Sequence, residues 1–140
     1  MKTPFGIHAE YMSERAVNNC VNMFKKDQSR VVPGKSGLYE IKPEWKDSLD
    51  LGLNIKELKR LKIWHKEMHD IIDNYIRKYP ILSKYDPWGY IEGVNIQYYK
   101  PNGGYRKEHC ERMTLGGSQR IMAFMTYLTD TKNGGTEFTY

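Results

Sequence analysis

The spacing of apolar residues in the first half of the chain predicts two amphipathic helices. Residues 9–26 carry one apolar face, formed by Ala16, Val17, Cys20, Val21 and Phe24. Residues 54–79 carry a longer stripe, formed by Leu58, Leu61, Trp64, Met68, Ile71, Ile72 and Tyr75. In this second segment Asn54 can cap the start, Glu57 occupies the capping-box position and Pro80 follows the end. Both faces have the three- and four-residue spacing of a helix that packs on a core.

The second half of the chain changes to the patterns of strands. Residues 94–98 alternate between apolar and polar side chains, which predicts a strand with one buried face. Residues 120–128 are apolar on both faces and predict a sandwiched inner strand. Residues 136–140 predict the start of a further strand, and turn-forming residues at 101–104 and 133–135 separate these segments.

The segment between the two predicted helices is less regular. Residues 30–51 contain Pro33, Gly34, Gly37 and Pro43. This composition predicts a loop with a short strand near 38–41. With 140 residues, the chain has the length of one domain. We therefore predict a single α+β domain, 1–140, with a mainly helical support region at 1–89 and a strand-rich region at 90–140.

Composition restricts the class of protein. Hydrophobic residues make up 39% and charged residues 28%, which is typical of a soluble globular protein and not of a disordered or membrane-spanning chain. No apolar segment follows Lys2, so a secretory signal peptide is not predicted. The two cysteines, Cys20 and Cys110, are too few for a disulfide scaffold. We predict a cytoplasmic protein with no membrane partner.

The net charge of +5 is spread evenly along the chain. Residues 1–70 hold 13 basic and 10 acidic side chains, and residues 71–140 hold 9 and 7. A groove that tracks phosphates needs basic residues clustered on one face, so the charge does not favour nucleic acid as a partner. The 11 Tyr and 22 basic residues keep a single-stranded nucleic-acid-binding module as an alternative, because base stacking combined with cationic contacts is its chemistry.

The clearest candidate for chemistry is the His109-Cys110-Glu111 tripeptide. In an extended segment, residues two apart point to the same face at a spacing of ~6–7 Å, so one cation can sit between His109 and Glu111. An imidazole and a carboxylate supply two of the three ligands in the facial triad of non-heme Fe(II) oxygenases. The alternative for so short a motif is a solvated polar strand.

The motifs around this tripeptide occur in a characteristic order. Residues 99–105 read Tyr-Lys-Pro-Asn-Gly-Gly-Tyr, the apolar run 120–128 follows the tripeptide, and residues 134–138 read Gly-Gly-Thr-Glu-Phe. This order resembles the prolyl-4-hydroxylase-like branch of the Fe(II)/2-oxoglutarate-dependent dioxygenases, over roughly residues 90–140. The His-Cys-Glu form looks like a phage-type or marine-microbial variant, since most members carry Asp where Glu111 stands.

The resemblance implies a fold and roles for four residues. The fold would be a double-stranded β-helix, or jelly roll, with the N-terminal helices packed on it. His109 and Glu111 would be iron ligands and catalytic residues, and Tyr127 and Tyr99 would hydrogen-bond 2-oxoglutarate. The alternative for both tyrosines is an ordinary core aromatic. The implied reaction hydroxylates a peptidyl proline or another small target with dioxygen, converts 2-oxoglutarate to succinate and uses ascorbate as reductant.

The resemblance also implies residues that the sequence lacks. The family's distal iron-binding His and the Lys or Arg for the far carboxylate of 2-oxoglutarate belong after Phe138, where only two residues follow. A jelly roll has about eight strands, so we expect a C-terminally truncated member with half of the barrel. A catalytically silent remnant is therefore a second hypothesis. His65 and His69 are four residues apart on the second helix, but Glu67 is in the wrong place for a zincin motif, so we predict a solvent-facing helix surface and keep a metal site as the alternative.

Overall fold

The computed structural model describes residues 6–36, 40–85, 87–112 and 115–139. It contains two α-helices and one antiparallel sheet. The helices are α1 (Glu14–Lys26) and α2 (Lys62–Lys78), and the strands are β1 (Val32–Pro33), β2 (Leu49–Leu53) and β3 (Val94–Tyr98). Short 3-10 segments are Gln28–Arg30, Ile55–Leu61, Pro80–Lys84 and Gly116–Gln119. The mixed α+β class predicted from the sequence is confirmed.

Helix α1 begins later than the sequence pattern predicted. Its N-cap is Ser13, whose side chain accepts a hydrogen bond from the N–H of Ala16 at 3.2 Å. The Ser13 N–H and hydroxyl both donate to the Glu67 carboxylate on α2, at 2.8 and 2.5 Å. One serine therefore ends the preceding loop, starts the helix and joins the two helices.

The predicted second helix is divided into two parts. The capping box is confirmed, since Asn54 accepts from the Glu57 N–H and the Glu57 carboxylate accepts from the Asn54 N–H. The turns that follow are 3-10 in form, and α-helical geometry starts at Lys62. The first four residues of the predicted stripe, Leu58, Leu61, Trp64 and Met68, are buried, and the last three are partly exposed.

The sheet has the order β1-β2-β3, with both pairs antiparallel. Leu51 of β2 lies opposite Ile96 of β3. The prediction of a loop across 30–51 was therefore wrong, because β1 and most of β2 fall within it. Leu51 and Leu53 are among the most deeply buried side chains, so burial against the helices fixes β2 despite its Asp50 and Gly52.

One apolar cluster joins the helices to the sheet. It consists of Ala16, Cys20, Met23, Leu51, Leu53, Leu58, Leu61, Trp64, Met68 and Ile96. Leu128 packs against its edge. The sheet faces α1 and α2 on this side, and its strands come from both the 1–89 and the 90–140 regions.

The two later predicted strands are absent from the described part of the chain. Residues 120–128 and 136–139 run without the ladder of a named strand, so those two predictions were wrong, and the described residues hold no jelly roll. A strand forms by hydrogen bonding to a neighbouring strand, and within the described residues these two segments pair with none. Much of the apolar surface predicted as an inner strand is exposed, as at Ile121, Met125 and Tyr127. The predicted short strand near 38–41 overlaps residues 37–39, which lie outside the described residues.

None of the helices in the described ranges has both the length and the apolar character needed to cross a bilayer.

Candidate functional site

The backbone after β3 is held against the chain that leads into β2. The Gly103 N–H donates to the Lys100 carbonyl at 2.7 Å, which closes a turn. A Cβ at Gly103 would lie 2.9 and 3.0 Å from the carbonyl oxygens of Lys100 and Asp47, so the turn requires glycine. The Asp47 N–H then donates to the Gly104 carbonyl, and the Arg106 N–H donates to the Trp45 carbonyl. These hydrogen bonds hold residues 103–106 against residues 45–47 and so position the start of the segment that contains residues 109–111.

His109 is held on two sides. Its ring stacks on Tyr105, with centroids 4.3 Å apart and planes 20° apart. Its Nδ1 lies 2.9 Å from the Lys107 carbonyl oxygen. Because a carbonyl oxygen can only accept, Nδ1 carries the hydrogen. The Nε2 atom then offers a lone pair whenever the ring is neutral.

The His109 Nε2 atom faces the Glu111 carboxylate, with 3.6 Å between Nε2 and Oε1. The structure therefore brings together the two ligands that the sequence predicted. The backbone around them is irregular, with a turn at Glu111, so the extended strand that the prediction assumed is not present. Both side chains are solvent-accessible, at 36% for His109 and 51% for Glu111.

The other Glu111 oxygen is bound by Arg120. The Arg120 guanidinium donates to Glu111 Oε2 at 2.9 Å and to the Glu111 carbonyl at 2.8 Å. The same guanidinium binds Glu92 through two nitrogens, at 2.6 and 2.7 Å. These hydrogen bonds from Arg120 lower the pKa of the Glu92 carboxyl. Arg120 therefore fixes Glu111 so that Oε1 is the oxygen turned toward His109. Nothing in the run 120–128 distinguishes Arg120, so the sequence pattern did not indicate this role.

The His109–Glu111 pair meets part of the requirement for ferrous iron. Two ligands in adjacent positions at ~2.1 Å from a metal are roughly 3 Å apart, so the 3.6 Å gap needs a small adjustment. Among the described residues, however, no group of three His, Cys, Asp or Glu side chains gathers around a common point. Two coordination positions fit, and a third protein ligand is absent from this part of the chain.

A buried polar cluster lies next to Tyr105. Lys46 Nζ donates to Asp50 Oδ2 at 2.6 Å, and both side chains are less than a tenth exposed. The Ser48 hydroxyl donates to Asp50 Oδ1 at 2.7 Å, and the Asn95 amide donates to Oδ2 at 2.8 Å. Lys46 Nζ also lies 5.9 Å from the Tyr105 ring centroid. Tyr105 therefore connects this cluster to His109, an arrangement that the sequence pattern did not indicate.

Tyr99 belongs to the border of this cluster. Its hydroxyl donates to Gln97 Oε1 at 2.8 Å. Burial, followed by the negative charge of Asp50, raises the pKa of Tyr99 to about 12. The phenol is therefore a protonated hydrogen-bond donor, as a 2-oxoglutarate contact would require. The Asp50 carboxylate that acts on the Tyr99 pKa is the one bound by Lys46.

Tyr127 is placed differently from the other three predicted residues. Its side chain is exposed, and its hydroxyl hydrogen-bonds to Thr136. In the described part of the chain this hydroxyl has no hydrogen bond to His109 or Glu111. Of the four predicted site residues, His109 and Glu111 meet directly, whereas the Tyr99 and Tyr127 hydroxyls bond to Gln97 and Thr136.

Comparisons with protein-family models, with curated proteins and with solved structures found no match to this chain.

Proposed function

We propose that the chain is a non-heme Fe(II)/2-oxoglutarate-dependent oxygenase that hydroxylates a peptidyl proline or another small target. The observation that supports this most directly is the 3.6 Å approach of His109 Nε2 to Glu111 Oε1. A neutral imidazole and a carboxylate are both ligands suited to ferrous iron. The order of motifs around this pair is similar to that of the prolyl-4-hydroxylase-like branch, and from this similarity we infer the class of reaction.

Each ligand would be oriented by a neighbour. His109 would bind iron through Nε2 while the Lys107 carbonyl holds Nδ1, and Glu111 would bind through Oε1 while Arg120 holds Oε2. Ferrous iron, when bound, supplies the redox chemistry that couples dioxygen to the decarboxylation of 2-oxoglutarate to succinate, with ascorbate as reductant. The protein's contribution is to orient these groups and to limit side reactions.

The tyrosines would contribute to cosubstrate binding. The Tyr99 hydroxyl would exchange its Gln97 partner for a carboxylate oxygen of 2-oxoglutarate, and the Tyr127 hydroxyl would exchange Thr136 in the same way. The jelly roll that the resemblance implies would require residues 120–128 and 136–139 to pair as strands, with partners that the described residues do not supply. The exposed apolar side chains along 120–128 support this proposal, because such surface is usually covered.

A specific observation favours the second hypothesis, a catalytically silent remnant. Glu111 is already paired with Arg120, and the described residues supply two ligands and not three. Such a protein would bind iron weakly or not at all and would not turn over 2-oxoglutarate. The two hypotheses therefore differ in turnover and not in which residues touch the metal.

The experiment combines turnover with metal binding. Succinate formation from 2-oxoglutarate is measured with Fe(II) and ascorbate, and binding of Mn(II), as a redox-stable substitute for Fe(II), is measured by calorimetry. The variants are His109→Ala and Glu111→Gln, and His8→Gln is the matched control because His8 pairs with Glu10 away from these residues. We expect succinate formation that is lost in both site variants and kept in the control.

Other results decide between the hypotheses. Binding that depends on His109 without any succinate supports the remnant. A folded protein that shows neither binding nor succinate contradicts the oxygenase and is the result expected of a remnant that does not bind iron. A salt-sensitive affinity for single-stranded oligonucleotides in that same sample would support the nucleic-acid-binding alternative instead.

A further inference from the structure

Four aromatic rings meet beside α2, and none of them belongs to a residue proposed to bind iron. His65 and His69 lie one turn apart, with ring centroids 4.6 Å apart and planes 86° apart. Tyr90, from the segment before β3, packs against both rings at 5.3 and 5.7 Å. Phe124 meets the Tyr90 ring at 5.7 Å. The histidine pair is therefore part of an aromatic cluster and not simply a solvent-facing helix surface.

The spacing of the two imidazoles suits a shared metal ion. Residues four apart on a helix lie on the same face. Two imidazoles that bind one metal at ~2.1 Å have ring centroids roughly 4.5–5.5 Å apart, which includes the 4.6 Å found here. Imidazole binds a metal ion through the lone pair of a ring nitrogen.

The Tyr90 hydroxyl gives a separate reason to place a ligand here. Its oxygen is buried and has no hydrogen-bond partner within the described residues. A buried hydroxyl without a partner is costly, and in native proteins it commonly meets an ordered water or an ion. A phenol hydroxyl can both donate and accept a hydrogen bond, so it can bind a water molecule at this position.

We propose that His65 and His69 chelate a divalent transition-metal cation of the zinc type, and that the Tyr90 hydroxyl hydrogen-bonds a water bound to that cation. Imidazole is a suitable ligand for zinc, copper and nickel, and water completes the coordination. This site shares no residue with the His109–Glu111 pair. Its presence or absence therefore does not depend on the proposed oxygenase activity.

The test is a calorimetric titration with zinc chloride as the only metal. The starting protein carries His109→Ala and Glu111→Gln, which removes the proposed iron site, and every variant below is made in it. We expect one zinc ion to bind, with His69→Gln weakening the affinity by about 100-fold and Tyr90→Phe by ~10-fold. Imidazole ¹⁵N spectra are expected to shift at His65 and His69 when zinc is added.

Matched variants separate the site from general effects. His8→Gln removes another histidine, and Tyr85→Phe removes the hydroxyl of an exposed tyrosine; both are expected to keep the full affinity. His69 is exposed, so His69→Gln is expected to keep the fold, which circular dichroism verifies. Zinc affinity unchanged in His69→Gln, or no zinc binding by the folded starting protein, would overturn the site. Equal affinities in Tyr90→Phe and Tyr85→Phe would overturn the role of Tyr90.

Discussion

The two cysteine side chains in this protein differ in solvent exposure. Cys20 sits in the apolar cluster on α1, and burial raises the pKa of its thiol to about 12. Cys110 is exposed between the two proposed iron ligands. Since the thiolate is the reactive form of cysteine, the two thiols are expected to react at very different rates.

We expect one thiol to react in the folded protein and two in denaturant. Cys110 should be alkylated by iodoacetamide at neutral pH, whereas Cys20 should react only after unfolding, because burial disfavours its charged form. Mass spectrometry after timed quenching counts the modified sites. A Cys110→Ser variant should show no labelling in the folded state. Fast labelling of Cys20 in that variant would contradict the burial described here.

The buried Lys46–Asp50 pair is expected to be sensitive to the loss of one partner. Lys46→Met leaves the Asp50 carboxylate buried without its cation and should cost about 3 kcal/mol of unfolding free energy. The double variant Lys46→Met/Asp50→Leu leaves no unpaired charge and should cost less. Urea unfolding measures both, with Lys59→Met as an exposed control expected to stay within about 0.5 kcal/mol. A single variant as stable as the control would disprove the role of the pair.

At the scale of elements, oppositely charged side chains hold the start of the 3-10 segment Ile55–Leu61, which precedes α2. The Glu57 carboxylate accepts hydrogen bonds from the Asn54 N–H and, at 2.6 Å, from the Arg30 guanidinium. Arg30 also donates to the Gly52 carbonyl in β2. The hydrogen bond from Arg30, followed by that from Asn54, lowers the pKa of Glu57 from its ordinary 4.5 to about 2. Strand β2 and the 3-10 segment are therefore joined through one ionised carboxylate.

This depressed pKa determines how stability should depend on pH. The carboxylate's contribution is fully present above pH 4.5, where it is ionised in both states, and is lost as the pH falls to about 2. We expect Glu57→Gln to lower the urea midpoint at pH 6 and to have a much smaller effect near pH 2. Glu14→Gln, on the exposed first turn of α1, is the control. An effect of Glu57→Gln that is equal at both pH values would contradict this linkage.

The same element shows what the sequence could and could not predict. The capping box at Asn54 was predictable because it is local, and so was the stripe that includes Trp64 and Met68. The split at Lys62 was not predictable, since 3-10 and α-helical turns share much the same spacing. Strand β2 was missed because five residues containing Asp50 and Gly52 carry a weak strand signal, and its pairing with β3 is a long-range contact.

At the scale of the whole molecule, the α-helices and strands are gathered around the apolar cluster. The helices and the sheet share that cluster, whereas residues 120–139 run mostly across the surface with few backbone hydrogen bonds to other segments. The candidate site likewise combines a local sequence motif with contacts between distant segments. His109 and Glu111 were predictable as a pair from their spacing, but Arg120, Tyr105 and the Lys46 cluster come from tertiary contacts that no local pattern encodes.

We expect hydrogen exchange to follow this division. Amides of α1, α2, β2 and β3 should exchange slowest, because they are hydrogen-bonded and packed, and amides at 120–128 should exchange faster by orders of magnitude. Mass spectrometry of peptic peptides after timed labelling measures both. Protection at 120–128 equal to that of β3 would show that this segment is paired as a strand after all.

The position of β2 in the sheet also affects how the protein is made. Its two neighbouring strands are synthesised at different times. Strand β1 leaves the ribosome before β2, and β3 leaves it only after the whole of α2. Until Val94–Tyr98 emerges, one edge of β2 stays unpaired beside the newly formed helices, a state in which nascent chains associate with each other. A mutation that slows the pairing of β3 would therefore be expected to lower the yield of protein in the cell before it alters the folded state.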